Sequence, residues 1–303
     1  NWTYPGSRGG TSPAWTSARR YKLRTYGQDN ITNRSGAYLR TFSIDSAAPV
    51  SSMTFPINGA SYINIATISG TSQDDASGVL RVELQISYPS GPDTNYWNGT
   101  SWLVNTSTWV FVTGNSTDTA LVNWSYTAVP VPWPSGKTFT LKIHGVDRGS
   151  PANVEADKTI TVKVDNQGPP TFIATPVNGN SYNALPTISG TAQDDFSGIN
   201  SSGIELQIFD VDISSYWNGA AFIGAPAWVI ASFVGDSSGT WTYASVPGPW
   251  PSPRTYRFTT RGTDRAGNLL LATTYHQITF DATPPVSGID DPNAAFENSL
   301  PTF

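Results

Sequence analysis

The sequence predicts an all-β protein built from tandem β-sandwich domains, arranged as beads on a string. Three observations predict this fold: the composition, an internal repeat and period-2 hydrophobic patterns. The 303 residues include 34 Ser, 36 Thr, 20 Asn and 27 Gly, but only 13% charged residues, and such a composition favours strands and turns over helices. Eleven Trp, 13 Tyr and 13 Phe provide enough apolar volume for packed cores, which argues against disorder.

The net charge and the missing residue types exclude several classes of protein. The chain has no cysteine, which removes disulfides, thiolate metal sites and cysteine nucleophiles. Residues 1–45 carry a charge of +5 and the remaining 258 residues carry −10, so the longer part of the chain offers no basic face for nucleic acid. No stretch approaches the length of about 18 apolar residues that a membrane span requires, and we expect none in this sequence.

Two long segments of the chain repeat one another in register. The motifs Thr-Ile-Ser-Gly-Thr, Asp-Asp-x-Ser-Gly and Tyr-Trp-Asn-Gly each occur twice, starting at residues 67 and 187, 74 and 194, and 96 and 216. Such a repeat decides the architecture before any other feature. It predicts the C-terminal part of one unit over 1–45, complete units over 46–165 and 166–281, and the N-terminal part of a further unit over 282–303. We therefore expect the sequence to be a window from a longer tandem array.

Within each complete unit, apolar and polar residues alternate as they do in strands with one buried face. One such pattern covers residues 81–86, and others cover 138–143 and 159–164. Asn-Gly and Ser-Gly pairs between these segments mark turns. About seven short strands per unit is the number expected of an immunoglobulin-like sandwich.

The succession of motifs resembles the bacterial Ig-like tandem repeats of giant surface proteins and adhesins. Besides the three repeated motifs above, the resemblance rests on Trp-x-Tyr, Trp-Pro-Ser and Thr263-Asp264-Arg265-Ala266-Gly267-Asn268, and it covers essentially the whole chain. It implies an extracellular or cell-surface location and a role as a stalk, in which the main partners are neighbouring repeats of the same chain. The first unit departs from the pattern at residues 147–153, where the turn is longer.

Aspartates are the strongest candidates for a site. In a sandwich of this topology the B–C corner, the F–G corner and the incoming linker lie at the same end, so we expect one cluster of carboxylates before each complete unit. Oxygen ligands in such numbers suit Ca²⁺, which would relieve the repulsion between the carboxylates. The alternative is turn chemistry, because Asp side chains accept hydrogen bonds from nearby backbone N–H groups. The predicted clusters are Asp45, Asp74, Asp75 and Asp147, and Asp165, Asp194, Asp195 and Asp264.

The tryptophans allow two interpretations, because most of them recur in register. Trp97 and Trp217, in the repeated Tyr-Trp-Asn-Gly motif, belong either to the core or to an exposed platform that stacks on sugar rings.

Catalysis is not predicted, since neither His144 nor His276 recurs between the units and nucleophilic hydrolysis then lacks a shared base.

The function predicted from the sequence is structural. We expect a segment of a long extracellular fibre or adhesin stalk, which provides length and stiffness and is rigidified by calcium between its domains. The polar surface with few charges also suggests lateral self-association into filaments. The alternative is a glycan- or surface-binding module centred on Trp97 and Trp217, and a third option is a set of accessory repeats beside an enzyme outside this sequence.

Overall fold

A computed structural model of the chain describes residues 13–112 and 120–288. These residues form strands and loops without a helix, which confirms the all-β prediction, and this part of the chain therefore contains no helix suited to crossing a membrane. Residues 1–12 of the first predicted part-unit and residues 289–303 of the last one lie outside the described residues. The chain divides into two compact units, Asn1–Asn166 and Gln167–Phe303, and the boundaries expected at residues 45 and 281 stay predictions.

The first unit opens with a two-stranded antiparallel hairpin, formed by β1 (Arg19–Thr25) and β2 (Tyr38–Ile44). Tyr21 lies opposite Phe42, and the ring of Trp15 packs edge-on against both, with centroid distances of 4.9 and 5.3 Å. Aromatic side chains thus cover one face of the hairpin, while Arg20, Lys22 and Arg24 alternate with that face along β1.

The remainder of the first unit is a sandwich of two sheets. One sheet has the order β10-β5-β3 and the other has the order β4-β12-β11-β6-β7-β8, with β9 paired to β6. All pairs are antiparallel except β4 with β12. The strands are β3 (Val50–Phe55), β4 (Ser61–Tyr62), β5 (Ile68–Gln73), β6 (Val79–Ser90), β7 (Asp93–Trp97), β8 (Trp102–Val104), β9 (Val110–Val112), β10 (Val122–Tyr126), β11 (Lys137–Asp147) and β12 (Lys158–Val164).

The predicted alternation fills the core of this sandwich. Leu84 and Ile86 on β6, and Leu141 and Ile143 on β11, are fully buried between the sheets, which confirms the period-2 interpretation. Two indole N–H groups anchor the edges of this core to backbone carbonyls. Trp124 donates to Thr71 O at 3.1 Å and Trp133 donates to Ile65 O at 2.8 Å.

The second unit repeats this sandwich. One sheet has the order β13-β15-β21-β20, and the other has the order β14-β24-β22-β16-β17-β18, with β19 paired to β16 and β23 paired to β22. The strands are β13 (Thr171–Thr175), β14 (Ser181–Tyr182), β15 (Ile188–Gln193), β16 (Ile199–Asp210), β17 (Ser215–Trp217), β18 (Phe222–Ile223), β19 (Val229–Ile230), β20 (Ser232–Gly235), β21 (Ser238–Tyr243), β22 (Arg254–Asp264), β23 (Leu269–Leu271) and β24 (His276–Phe280).

The second core uses the same anchors as the first. Trp241 donates its indole N–H to Thr191 O at 3.2 Å and Trp250 donates to Leu185 O at 3.0 Å. These four residues stand where Trp124, Thr71, Trp133 and Ile65 stand in the first sandwich. The internal repeat in the sequence is therefore a repeat of packing and hydrogen bonding, and each sandwich contains a complete core of its own.

Candidate metal centre

Three of the predicted carboxylates meet at one end of the first sandwich. Asp45 follows β2, Asp74 follows β5 and Asp147 ends β11, and one carboxylate oxygen from each lies within 4.8 Å of the other two. Asp74 is 3% exposed and Asp147 is fully buried. The topology argument from the sequence thus places these three side chains together correctly.

The two oxygens of Asp74 have different environments. Oδ2 accepts hydrogen bonds from the backbone N–H groups of Ala76, Ser77 and Gly78 at 3.1, 2.8 and 2.7 Å. Oδ1 is buried and has no hydrogen-bond partner among the described residues. Turn chemistry therefore explains one oxygen of this carboxylate and leaves the other oxygen for a ligand, since a buried acceptor without a partner costs about 1–3 kcal/mol.

Asp147 and Asp45 are held in place by the backbone around them. Asp147 Oδ1 accepts from the N–H groups of Gly149 and Asn153 at 2.9 and 2.7 Å, and Asp45 Oδ2 accepts from Ser77 N at 3.0 Å. The side chain of Asn153 directs its amide nitrogen to Asp147 Oδ2 at 2.6 Å. Asn153 is therefore a residue that orients the carboxylate.

Asp75, the fourth predicted member, is exposed and lies outside this group of three. Partial desolvation and the negative charges of Asp45, Asp74 and Asp147 all raise the pKa of its carboxyl group above the ordinary value of 3.8. The three neighbouring carboxylates thus contribute a negative potential at Asp75. A bound cation would relieve it.

The cluster is accessible from solvent. An open cleft of about 300 Å³ reaches Asp45 between the end of β2 and the turns that carry Ser77 and Gly149. Arg148 also lines this cleft. Solvent thus reaches the cluster at Asp45, whereas Asp74 and Asp147 lie buried behind it.

Equivalent turns hold the aspartates of the second unit, although the turn after Asp264 is shorter than the turn after Asp147. Asp194 Oδ2 accepts from Phe196 N at 3.0 Å and from Gly198 N, while Asp264 Oδ1 accepts from the N–H groups of Gly267 and Asn268, each at 2.7 Å. Arg265 N donates to Gly198 O at 2.8 Å and links the two turns.

The other members of the second predicted cluster are divided between the units. Asp165 ends the first unit, one residue after β12, and donates its N–H to Tyr62 O at 3.0 Å. Asp195, like Asp194 and Asp264, belongs to the second unit, where it is exposed. The second calcium site therefore stays a prediction.

The placement of Trp97 and Trp217 decides between the core and the sugar-binding platform. Both rings are only 8% exposed and belong to the two cores. Trp97 donates its indole N–H to Ala128 O at 2.8 Å, and Trp217 donates to Ser245 O at 3.1 Å. A ring that is buried on both sides has no face on which a sugar can stack, so the core interpretation holds for both residues.

A second arrangement recurs on the outer face of each sandwich and was not identified from the sequence. In the second unit, Arg261 forms two hydrogen bonds with Glu205, at 2.7 and 2.9 Å, and lies 4.3 Å from the ring centroid of Trp228. Glu83 and Glu205, and likewise Trp109 and Trp228, occupy equivalent positions in the two repeats. This recurrence is the signal that would have revealed the arrangement.

In the first unit the equivalent position is His144. Its Nε2 lies 2.8 Å from Glu83 Oε2 and its Nδ1 lies 3.1 Å from Asp157 Oδ1, with the Trp109 ring centroid 4.2 Å away. Carboxylates thus occupy both nitrogens of the imidazole, which gives His144 a structural role in pairing the strands.

This pairing makes the first sandwich sensitive to acid. Burial raises the pKa of Glu83, but the hydrogen bonds from Arg81 and His144 outweigh burial, so its net pKa lies below the ordinary 4.5. A lowered folded-state pKa stabilises the fold above pH 4.5, and this stabilisation is lost as pH falls through the folded-state value. We expect Glu83→Gln to flatten the acid limb of the first unit's stability curve, measured by thermal melts between about pH 3 and pH 7. An unchanged acid limb would contradict this assignment.

Comparisons with known proteins find structural neighbours but no family. No protein-family model matches this chain, and no curated protein matches it. Among solved structures, the chain is similar to the fibronectin(III)-like modules of Clostridium thermocellum CbhA, with 14% identity, 79% of this chain and 99% of that chain covered, and a TM-score of 0.33.

Two further neighbours come from large adhesins. One is a tetra-tandem repeat in the extending region of a large adhesion protein, at 13% identity, with 87% of this chain and 57% of that chain covered and a TM-score of 0.32. The other is part of a 1.5-MDa bacterial ice-binding adhesin, at 14% identity, with 88% of this chain and 76% of that chain covered and a TM-score of 0.32. The fold assignment itself rests on the strand order described above.

Proposed function

We propose that this chain is a segment of a long extracellular fibre or adhesin stalk, in which each sandwich adds a fixed length. The observation that carries the proposal is the in-register repeat of a complete sandwich, with the same tryptophan anchors in each core. A repeat whose core is self-contained can be added to an array without exposing new apolar surface, which suits a mechanical role. The longest strands, of 11 and 12 residues, correspond to a unit about 40 Å long.

Calcium at the junctions is the second part of this proposal. Asp45, Asp74 and Asp147 would hold one ion at the entrance of the first sandwich, through the unpartnered Asp74 Oδ1 and the lone pairs that remain on the other carboxylates. Ca²⁺ takes six to eight oxygen ligands, and water in the adjacent cleft would complete the shell. The in-register residues Asp165, Asp194, Asp195 and Asp264 would bind a second ion. An ion shared between a linker and a sandwich restricts the swing that a bare linker permits.

Removal of calcium is expected to lower the melting temperature of the first sandwich. Calcium at 100 times its dissociation constant stabilises the native state by about 2.7 kcal/mol, which corresponds to roughly 10 °C for a domain of this size. Differential scanning calorimetry of the chain with calcium and with a chelator measures this shift. A melting curve that is identical in both conditions would refute the calcium site.

Two variants separate metal binding from turn chemistry. Asp74→Asn keeps an acceptor oxygen for the three backbone N–H groups but removes the charge, so we expect it to abolish the calcium response while largely preserving stability in chelator. Asp93→Asn removes the same charge on β7, away from the cluster, and should leave the calcium response unchanged. If Asp74→Asn responds to calcium as the unmodified chain does, the ion is bound elsewhere.

Electron microscopy of the native molecule tests the stalk independently of calcium. We expect an extended fibre whose domains repeat at about 40 Å, the length of a sandwich of this size. A compact particle of 32.5 kDa, the mass of the 303 residues, would overturn the stalk. The outcome does not depend on whether the calcium response is found.

A further inference from the structure

Charged residues are distributed unequally between the two sheets of each sandwich. The sheet of β3, β5 and β10 in the first unit contains no Asp, Glu, Lys or Arg, and neither does the sheet of β13, β15, β20 and β21 in the second unit. The opposite sheets carry Arg81, Glu83 and Lys142 in the first unit, and Glu205 and Arg261 in the second. We call the outward side chains of the charge-free sheets the uncharged faces.

Small hydroxyl and amide side chains form cross-strand rows on the uncharged face of the first unit. Ser52 lies opposite Thr71, and Thr71 lies opposite Asn123. The hydroxyl groups of Ser52 and Thr71 are 2.8 Å apart, so they satisfy one another within the sheet. This row of small side chains is flat and uncharged, and it needs few hydrogen bonds from water.

The uncharged face of the second unit is more apolar. Its central row crosses all four strands, with Phe172 opposite Thr191, Thr191 opposite Thr240, and Thr240 opposite Val234. Phe172 is 59% exposed and Val234 is 73% exposed. Two large apolar side chains thus flank two threonine methyl groups on a surface without any charge, which is a composition typical of an interface core.

Electrostatics restricts the partner that these faces suit. Residues 46–303, which include both sandwiches, have a net charge of −10, so two sandwiches repel one another on average where their charged surfaces meet. Contact through the uncharged faces places the charged sheet of each sandwich about 10 Å behind the interface, which is close to the Debye length of about 8 Å at physiological salt. The neutral face is therefore the side on which two copies approach with the least repulsion.

We propose that the uncharged faces are lateral contact surfaces between copies of this chain, through which the chains associate side by side. Three strands spaced about 4.8 Å apart and about five residues long give roughly 250 Å² per sandwich. A stable interface buries about 600 Å² or more on each partner, so one face binds weakly. Weak contacts made by several sandwiches of the same chain reinforce one another, because the first contact holds the others at a high effective concentration. The association is therefore expected to strengthen as the number of sandwiches per chain increases.

Sedimentation velocity of the 303-residue chain tests this proposal. We expect the weight-average mass to rise with protein concentration in the micromolar to millimolar range, and to rise further when added salt screens the net charge. The double variant Thr71→Glu/Thr191→Glu places a negative charge on each uncharged face and should keep the chain monomeric at every concentration.

The matched control places the same two charges on the opposite sheets. Thr161→Glu/Thr279→Glu changes exposed residues of β12 and β24 and should associate nearly as the unmodified chain does. A monomeric unmodified chain at all concentrations would overturn the proposal, and so would an equal loss of association in both double variants. Circular dichroism melts of both variants verify that neither has lost its fold.

Discussion

Gly190→Ala is expected to destabilise the second sandwich by about 3 kcal/mol or more, because a side chain has no room at this position. A Cβ on Gly190 would lie 1.9 Å from the carbonyl oxygen of Phe172 and 2.6 Å from Trp241 Cζ2. The first of these atoms is backbone of a paired strand, which a rotamer change cannot move. To relieve this steric clash, β13 would have to separate from β15 or the core residue Trp241 would have to move.

Gly70→Ala should have the same effect on the first sandwich. There the added Cβ would lie 2.0 Å from Ser52 O and 2.3 Å from Trp124 Cζ2. Chemical denaturation followed by tryptophan fluorescence measures both changes, and each variant should lower the stability of its own unit only. Gly224→Ala is the control, because no atom lies within 4 Å of its added Cβ and its stability should stay within about 0.5 kcal/mol of the unmodified chain. Equal stabilities for all three variants would contradict the close packing of these strands.

These two glycines illustrate what the sequence reveals and what it leaves undetermined. Thr-Ile-Ser-Gly-Thr predicts a strand and shows that glycine recurs in it, and glycine inside a strand indicates a bulge or a close approach of other atoms. Which atoms approach depends on a tryptophan that lies about 50 residues further along the chain. Local pattern therefore predicts the element, while the reason for its glycine is tertiary.

The fold was largely predictable because strands with one buried face carry a period of two. Residues 81–86 and 138–143 alternate as predicted, and their apolar members pack between the two sheets. The strand count was underestimated: about seven strands per unit were expected, whereas the described residues form ten in the first sandwich and twelve in the second, several of them only two or three residues long. The short strands β7 to β9 were not predicted in detail, since their pairing depends on long-range register.

The candidate site was predictable in position but incompletely in chemistry. Topology alone placed Asp45, Asp74 and Asp147 at one end of the sandwich. It did not show that the two oxygens of Asp74 differ, so that turn chemistry and a free ligand oxygen coexist in one carboxylate. The sequence presented these as alternatives because it contains no information on which N–H groups a side chain faces.

The sequence also left two interpretations open at Trp97 and Trp217, for a related reason. Recurrence in register shows that a residue is needed in each unit, but it does not distinguish a need for packing from a need for binding. Successive side chains of a strand point to opposite faces of the sheet. If the start of β7 or β17 is inferred one residue too early or too late, a buried ring is therefore assigned to the exposed face. Burial, and not recurrence, decides between the two interpretations.

Trp97→Ala and Trp217→Ala are therefore expected to destabilise their own sandwiches by about 3–5 kcal/mol each, the usual cost of removing a buried aromatic ring. Each ring packs against a neighbouring aromatic at a centroid distance of 5.4 Å, Trp102 in the first unit and Phe222 in the second. Removal of the indole also leaves the carbonyl oxygen of Ala128 or Ser245 without its donor. Equilibrium unfolding in denaturant measures the loss for each unit.

Phe111→Ala provides the contrast, because this ring is 69% exposed and its removal leaves no cavity in the core. We expect a change within about 0.5 kcal/mol, as for most surface substitutions. If Trp97→Ala instead folds with unchanged stability and loses binding to a glycan array, the ring is accessible to ligands and the binding-module interpretation would regain its main residue. A large loss of stability in both tryptophan variants fits a molecule in which the repeated aromatic residues hold each sandwich together.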